Sequence, residues 1–444
     1  MTSCLIVGNV DCEAQCGAPE LRNMIERWES TVVAHRLIWL CVTAQDLCVF
    51  PSLMRDDMIL YVGSILQLPL SILNQIAPNL DTAAPILLTE AVMNGIDVTQ
   101  RVRELGIVPE LSQVTPYFVD PGLAKFCRNN RFNFQWPEDL SLEYLNRKST
   151  FRTIAKDLGI PIAPGRVCYT QRDVEEAIQE MIGTTGVVIV KQDLAGGGEG
   201  NLAVTTETQG KSYMGTSGTY LVTKENSIRE ISRKVFEALV GGRNKSLVVE
   251  AYLQAKEVIY SEVMTSRTTQ AELLNWGSML MEPKWIGFEI PHPRLSRLLA
   301  SQFERYSLKL ASQIGASGYQ GRMNCDAIVT TDNEIVFTEF NIRLGGCTHI
   351  DILARRLLGS EYIAKYNIVS RNAIHFNGSW ESLRQVVGDL AFDRKENVGV
   401  IILTEHLSEL GGFECMCVAK SSADAHAMLG ELMARLGHWG SYLK

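Results

Sequence analysis

This 444-residue chain has no apolar run of 18 residues, so no membrane-spanning helix is expected. Cations are in the minority. The 42 Lys and Arg stand against 50 Asp and Glu, a net charge of −8, which argues against a dedicated nucleic-acid binder. The eleven cysteines form no even, regular framework, and a chain of this length does not need one. Reduced thiols and a cytosolic setting are expected. The start, Met1-Thr2-Ser3-Cys4, lacks the basic opening and longer apolar core of a secretory signal. Two common nucleotide signatures are missing as well. Gly8-Asn9 ends a strand-like stretch, but no G-x-G-x-x-G follows, and Asp11-Cys12-Glu13 stands where phosphates would need open backbone. Gly210-Lys211-Ser212 resembles the end of a P-loop, yet Thr205 occupies the position that requires glycine. No internal repeat is present.

What is there is ordinary in composition and long. Apolar residues at 46% and charged residues at 21% exclude a disordered or fibrous chain. The length suits about three domains at roughly 150 residues each. The first 120 or so residues alternate strand-like stretches (Ser3–Val7, Arg36–Val42, Met58–Val62, Pro85–Leu88, Tyr117–Val119) with helical patterns such as Pro19–Trp28 and Val98–Leu105. That alternation predicts a parallel sheet covered by helices. Lys125–Trp136 interleaves basic and aromatic residues and reads as a half-buried connection rather than a nucleic-acid platform.

From Leu142 the texture changes. A helix over Asn146–Leu158 must stop at the Gly/Pro segment Gly159–Pro164. Next come a helix over Gln171–Ile182, a strand over Val187–Lys191, a glycine loop, and a polar, glycine-containing flap at 206–218. A helix at Ile228–Val240 precedes strands at Ser246–Glu250, Glu257–Met264 and Glu272–Met281, and the helix Leu295–Ile314 leads to a hairpin over Met323–Asn341. The last 80 or so residues predict helices near Trp380–Leu390 and Ser422–Leu436, with strands at Val398–Leu403 and Phe413–Ala419 between them.

The hairpin can be worked out residue by residue. With Asp332-Asn333 as a two-residue turn, Thr331 pairs with Glu334. Counting back places Asp326 opposite Glu339 and Asn324 opposite Asn341, all on one face, with Ile328 and Phe337 further down it as apolar anchors. Opposed carboxylates repel unless something neutralises them. A magnesium ion shared with phosphates would do so, and so would a solvated edge with each acid paired to a Lys or Arg. Upstream, Lys191 closes the apolar run Val187–Val190, and Ala195-Gly196-Gly197-Gly198-Glu199-Gly200 can turn backbone N–H groups toward an anion. A strand, a lysine and a glycine flap outline a phosphate clamp. At Val248–Glu257 an apolar strand emerges into a segment whose backbone could read an adenine edge, with Glu257 able to accept from ribose hydroxyls.

In this order the elements resemble the ATP-grasp superfamily of carboxylate–amine ligases, from about Asn146 to Gly346. The resemblance implies an α/β fold of two lobes (α+β), an ATP-grasp core over 139–358 with a flap subdomain at about 160–256. It is preceded by a pre-ATP-grasp α/β domain over 1–138 and followed by a small α/β segment over 359–444. It implies ATP and Mg²⁺ as cofactors. Lys148 and Lys191 would be the phosphate lysines, with Gly196, Gly197, Gly198, Glu199 and Gly200 as the phosphate loop. Glu250, Ala251, Tyr252, Leu253 and Glu257 would form the adenine and ribose hinge. Asp326, Glu339 and Asn341 would hold metal. Glu339-Phe340-Asn341-Ile342-Arg343 looks like the family's E-x-N-x-R signature, its arginine serving the substrate carboxylate or the developing anion. Where D-alanine ligases have an arginine two residues before the metal aspartate, this chain has Asn324, and Arg322 is the substitute on the same face.

The overall architecture further resembles the peptide ligases of pheganomycin biosynthesis, within antibiotic and peptide natural-product pathways. That resemblance implies an acylphosphate route joining an amino- or guanidino-acid carboxylate to a peptide amine, with no nucleic-acid or membrane partner and a homodimer left open. The residues alone also admit an ATP-grasp phosphotransferase and a non-catalytic ATP-binding module. His292 and His349 are candidate bases for the amine.

Overall fold

The computed structural model describes residues 3–442 except 17–21, 79–83, 96–103, 105–107, 135–139, 196, 197, 199, 208–211 and 267–269. The first sheet is wholly parallel, as the alternation predicts. Its strands β1 (Cys4–Val7), β2 (Leu47–Val49), β3 (Gln75–Ile76) and β4 (Gln113–Pro116) lie in the order β3-β2-β1-β4. The chain adds β2 and β3 on one side of β1 and then returns to add β4 on the other. The order therefore reverses between β1 and β4.

Four expected strands in this region are not strands. Arg36–Leu40 is a 3-10 helix with all five residues buried, because a short, continuously apolar run carries no periodicity to separate helix from strand. Met58–Val62 lies inside the helix Asp56–Leu66. Asp56 and Asp57 fill its first turn, where the helix dipole favours acids, and Met58, Ile59, Val62 and Leu66 make a buried stripe at helical spacing. Pro85–Leu88 joins no ladder, and the strand expected at Tyr117–Val119 ends at Pro116. The first long helix runs Met24–His35, set by a capping box in which Asn23 and Glu26 exchange side-chain-to-backbone hydrogen bonds. Of the expected helix Pro19–Trp28, residues 19–21 lie outside the described residues, as does all of Val98–Leu105 except Glu104. The basic and aromatic stretch begins in a helix, Pro121–Asn129, and leaves it after Asn129, with Phe126, Cys127 and Phe132 buried; Gln135 and Trp136 lie outside the described residues.

A second sheet, with its own small core, occupies 165–251. Its strands are β5 (Gly165–Cys168), β6 (Val187–Gln192), β7 (Asn201–Thr205), β8 (Gly218–Leu221) and β9 (Leu247–Ala251), in the order β5-β9-β6-β7-β8. The helices Gln171–Thr185 and Ile228–Leu239 cover it with Val174, Ile178, Ile231 and Val235.

The third sheet has eight strands: β10 (Ala255–Thr265), β11 (Glu272–Glu282), β12 (Lys284–Ile290), β13 (Gly321–Thr330), β14 (Ile335–Asn341), β15 (Asn367–His375), β16 (Gly399–His406) and β17 (Gly412–Ala419). The order is β14-β13-β10-β11-β12-β15-β17-β16, so the strands after residue 359 extend the central sheet through the β12–β15 pairing. One hydrophobic core runs beneath the first and third sheets. Among the described residues no helix is long and apolar enough to cross a membrane.

The hairpin reaches its expected register by two offsets that cancel. Thr330 pairs with Glu334 across a three-residue turn whose last residue, Asn333, has φ +61°. That shifts the ladder by one, so Ile328 faces Val336 and Ala327 faces Phe337. A bulge at Thr338 then takes up the extra residue and restores Asp326 opposite Glu339 and Asn324 opposite Asn341. Val336, rather than Phe337, is therefore the apolar neighbour of Ile328 on the acidic face. Phe337 points the other way and stacks on Phe303.

Candidate active site

Lys148 opens the helix Lys148–Asp157, which has no capping side chain of its own. The cap comes from beyond β6. Asp193, fully buried, accepts the Ser149 N–H at 2.8 Å and its hydroxyl at 2.9 Å, while its carbonyl accepts the Lys148 N–H. An acid at a helix N-terminus satisfies orphan donors and complements the dipole, and here it also fixes where Lys148 starts. The Lys148 ammonium donates to the Ala195 carbonyl at 2.7 Å and lies 3.1 Å from Glu339.

Lys191 is buried at the mouth of β6 and pairs with Glu250 at 2.6 Å. The other Glu250 oxygen is taken by Arg152, whose guanidinium also donates to the carbonyls of Ala163 and Gly165. Glu250 is thus a buried acid between two cations, and its carboxylate is not open to a nucleotide. Its place at the hinge is by backbone position beside Ala251, Tyr252 and Leu253, which line the cavity with it. Tyr252 ties the hinge to the polar flap, its hydroxyl accepting from the Met214 N–H at 2.9 Å.

Glu257 receives a 2.6 Å hydrogen bond from His292. His292 Nδ1 accepts from the backbone N–H groups of Arg294 and Leu295, so Nε2 carries the proton and donates. The ring also stacks on Trp276 at 5.6 Å. His292 therefore orients Glu257 rather than standing free as a base, and buried His349 lies outside the cavity lining. In the glycine loop, Gly198 (φ +80°) and Gly200 are placed, Gly198 on the cavity wall; Gly196, Gly197 and Glu199 lie outside the described residues.

Asp326 and Glu339 face each other on the hairpin as computed from the sequence. Burial and the neighbouring Glu339 carboxylate push Asp326 up to about 8. Burial raises Glu339 too, but Lys148 and then Lys191 outweigh it and hold this acid below the ordinary carboxylate range. Asn341 donates to Asp326 at 3.2 Å and accepts from Arg343 at 2.9 Å. Hard oxygen donors beside an uncompensated acid fit magnesium. Among the described residues no three His, Cys, Asp or Glu side chains form a metal cage, so an ion here would need further ligands from phosphate or water.

The two arginines part company. Arg343 is buried along the cavity, lies 5.2 Å above the Tyr117 ring, and leaves its Nε without a partner. Arg322, expected as a substitute oxyanion donor, instead donates to Glu262 at 2.7 Å and Asp351 at 2.8 Å and does not line the cavity. Two fully buried acids hold it under the sheet, because either would be an uncompensated charge without it. Asn324 does reach the cavity and presents an unpartnered Oδ1. Gly345 packs so close that a Cβ there would sit 1.8 Å from that atom.

Lys191, Gly198, Glu250–Leu253, Asn324, Asp326, Glu339, Asn341 and Arg343 line one cavity of about 390 Å³, the size of a small-ligand site, while Lys148 and Glu257 stand outside its lining. Part of its wall was not legible in the sequence: Asp11, Gln15, Arg36 and Tyr117 come from the segments around the first sheet. Like Arg152 and Asp193, they are remote in the chain from the motifs they serve, and no local signal marked them.

Residues 34–131 match the family described as the pre-ATP-grasp domain. No curated protein matches by sequence. Among solved structures, an N5-carboxyaminoimidazole ribonucleotide synthetase in complex with ADP superposes with TM-score 0.58 at 13% identity, covering 98% of this chain and 97% of that one. Biotin carboxylase from Campylobacter jejuni, solved with an ATP analogue, gives 0.57 at 14%, covering 96% and 91%. N5-carboxyaminoimidazole synthase from Aspergillus clavatus, solved with ADP and its ribonucleotide, gives 0.55 at 11%, covering 98% and 99%. The chain therefore has the α/β ATP-grasp fold, with a pre-ATP-grasp domain at its N-terminal side.

Proposed function

We infer that the protein is an ATP-dependent carboxylate–amine ligase, and within that class a peptide ligase that couples an amino- or guanidino-acid to a peptide amine. The observation that carries the reading is the convergence on one cavity of Lys191, the opposed Asp326 and Glu339, and Arg343 with an unpartnered Nε, with Lys148 held 3.1 Å behind Glu339. The fold neighbours support it, since the synthetase, the carboxylase and the synthase were each solved with ADP or an ATP analogue.

In this reading adenine lies against Ala251–Leu253 and the ribose hydroxyls donate to Glu257. The triphosphate runs past Gly198 to Lys148 and Lys191. Asp326, Glu339 and Asn341 hold magnesium, which when bound offsets phosphate charge and draws electron density from the γ-phosphoryl group. Arg343 Nε holds the substrate carboxylate, whose oxygen attacks the γ-phosphorus to release ADP and leave an acylphosphate. A neutral amine then attacks the acyl carbon, Arg343 stabilises the oxyanion, and phosphate leaves. No side-chain nucleophile is needed; positioning and exclusion of water are much of the catalysis.

The test is ADP release against a matrix of carboxylic acids and amines, with hydroxylamine in place of the amine. Release that needs both partners, and an acyl-hydroxamate in the trap, is expected. ADP formed without a hydroxamate indicates phosphotransfer, and indifference to both acceptors indicates a nucleotide-binding module.

The Glu257 assignment has its own check. His292→Phe keeps the stack on Trp276 but removes the N–H that orients Glu257. KM for ATP is expected to rise about tenfold, near 1.4 kcal/mol, with kcat nearly unchanged. An unaltered KM counts against a ribose role for Glu257.

A further inference from the structure

The end of the cavity away from the nucleotide motifs is built by the first sheet. Ligands of open parallel sheets bind beyond the carboxyl ends of the strands, where the strand order reverses. Here that place lies between β1 and β4. Asp11 follows β1 and Tyr117 follows β4 directly, and both line the cavity.

Asp11 is almost wholly buried. One of its oxygens lies 3.5 Å from Arg22; the other, Oδ2, has no hydrogen-bond partner. Gln15, on the same wall, presents a buried Oε1 that is also without a partner. Burial raises the Asp11 carboxyl, with Arg22 and then a hydrogen bond with Ser30 opposing. Two orphaned acceptors in one cavity wall are costly unless a donor arrives, and a carboxylate with an amide oxygen suits a cationic nitrogen. Across the switch point, Arg343 rests on Tyr117 with an orphaned donor, the complement needed by an anion. An anion reader and a cation reader flanking one crevice match a single molecule that carries both charges.

We propose that Asp11 Oδ2 and Gln15 Oε1 form a specificity subsite for a cationic nitrogen, ammonium or guanidinium, carried by the same substrate whose carboxylate Arg343 holds. The subsite rests on the ligase reading for the identity of that carboxylate, but its binding does not depend on turnover. Neither residue touches the reacting atoms; they select the substrate and set its direction. The attacking amine is a separate molecule and is not read by Asp11.

The experiment uses the intact protein with matched acids: phenylalanine against 3-phenylpropanoate, and 4-guanidinobutanoate against pentanoate. Binding is measured by calorimetry with ADP and magnesium present, and ADP release from ATP is measured with a fixed amine. The wild type is expected to prefer each cationic acid by about a hundredfold. Asp11→Asn is expected to bring that ratio to within about threefold of unity while KM for ATP stays unchanged. Gln15→Met, which removes an acceptor without altering charge, is expected to lower it about tenfold and guards against an Asp11 variant that fails to fold. No preference in the wild type overturns the subsite. So does an equal loss for both members of a pair in a folded variant, or a preference that follows the charge of the amine instead. Binding discrimination without any carboxylate-dependent ADP release keeps the subsite and sinks the ligase reading; the converse sinks the subsite alone.

Discussion

Glu339→Ala is expected to abolish magnesium-dependent ATP turnover while leaving the protein folded. The carboxylate lies opposite Asp326 and 3.1 Å from Lys148, so it is the acid that would hold magnesium beside the phosphate path proposed for ATP. Metal-assisted charge stabilisation is worth several kcal/mol, so kcat should drop by about a thousandfold or more. Stability should survive for a local reason. The change removes one of two opposed carboxylates, relieving Asp326, and Lys148 keeps its hydrogen bond to Ala195. ADP release and the urea midpoint, measured on one preparation, separate the two effects. Turnover within tenfold of wild type, with magnesium, removes Glu339 from the metal assignment.

Glu414→Ala is expected to destabilise the protein by about 3–5 kcal/mol, among the largest single-residue effects available outside the apolar core. Glu414 on β17 holds buried Arg36 by two hydrogen bonds, Nε at 2.8 Å and Nη2 at 2.5 Å, and also accepts from Thr404. Truncation leaves a buried guanidinium without its carboxylate, the Trp285 ring 5.2 Å away being no substitute for it. Charge left alone in the interior, rather than the loss of a favourable pair, is the source of the cost. Arg36→Met with Glu414→Leu removes both charges and is expected to recover most of the loss. Urea unfolding of the three proteins reads this, and a single-variant loss under about 1 kcal/mol contradicts it. The same pair ties the pre-ATP-grasp domain to the last strands, so its loss should also loosen the cavity wall that Arg36 supplies.

The hairpin and the first domain mark the limits of reading this chain without its structure. Alternation along β13 and β14 put Asp326 and Glu339 face to face, because side chains switch faces at every residue and an antiparallel ladder is local. The turn was nonetheless three residues long, and the bulge at Thr338 restored the register; neither departure leaves a pattern in composition. In the first domain, Met58–Val62 gave a strand-like window although the helix around it is plain over eleven residues, and Arg36–Leu40 is too short and too apolar to show any period. Strands β12 and β15, for which the sequence reading names no strand, pose the same problem, since their pairing joins segments far apart in the chain.

By itself the sequence determined the acidic, globular character of this protein, the order of the motifs read as nucleotide-binding, and the strand alternation that carries the two opposed acids, whose pairing also needed the bulge at Thr338. Each of those depends on residues within one strand, one turn or one helix. Tertiary packing alone decided the rest. It took Arg322 away from the cavity to neutralise Glu262 and Asp351, gave Lys148 its cap from Asp193, and turned His292 into the holder of Glu257. It also brought Asp11, Arg36 and Tyr117 to a site whose motifs begin beyond residue 140. The physical reason is that a charge or an orphaned hydrogen-bonding atom is satisfied by whatever packs against it, and that neighbour is set by the fold rather than by the spacing along the chain.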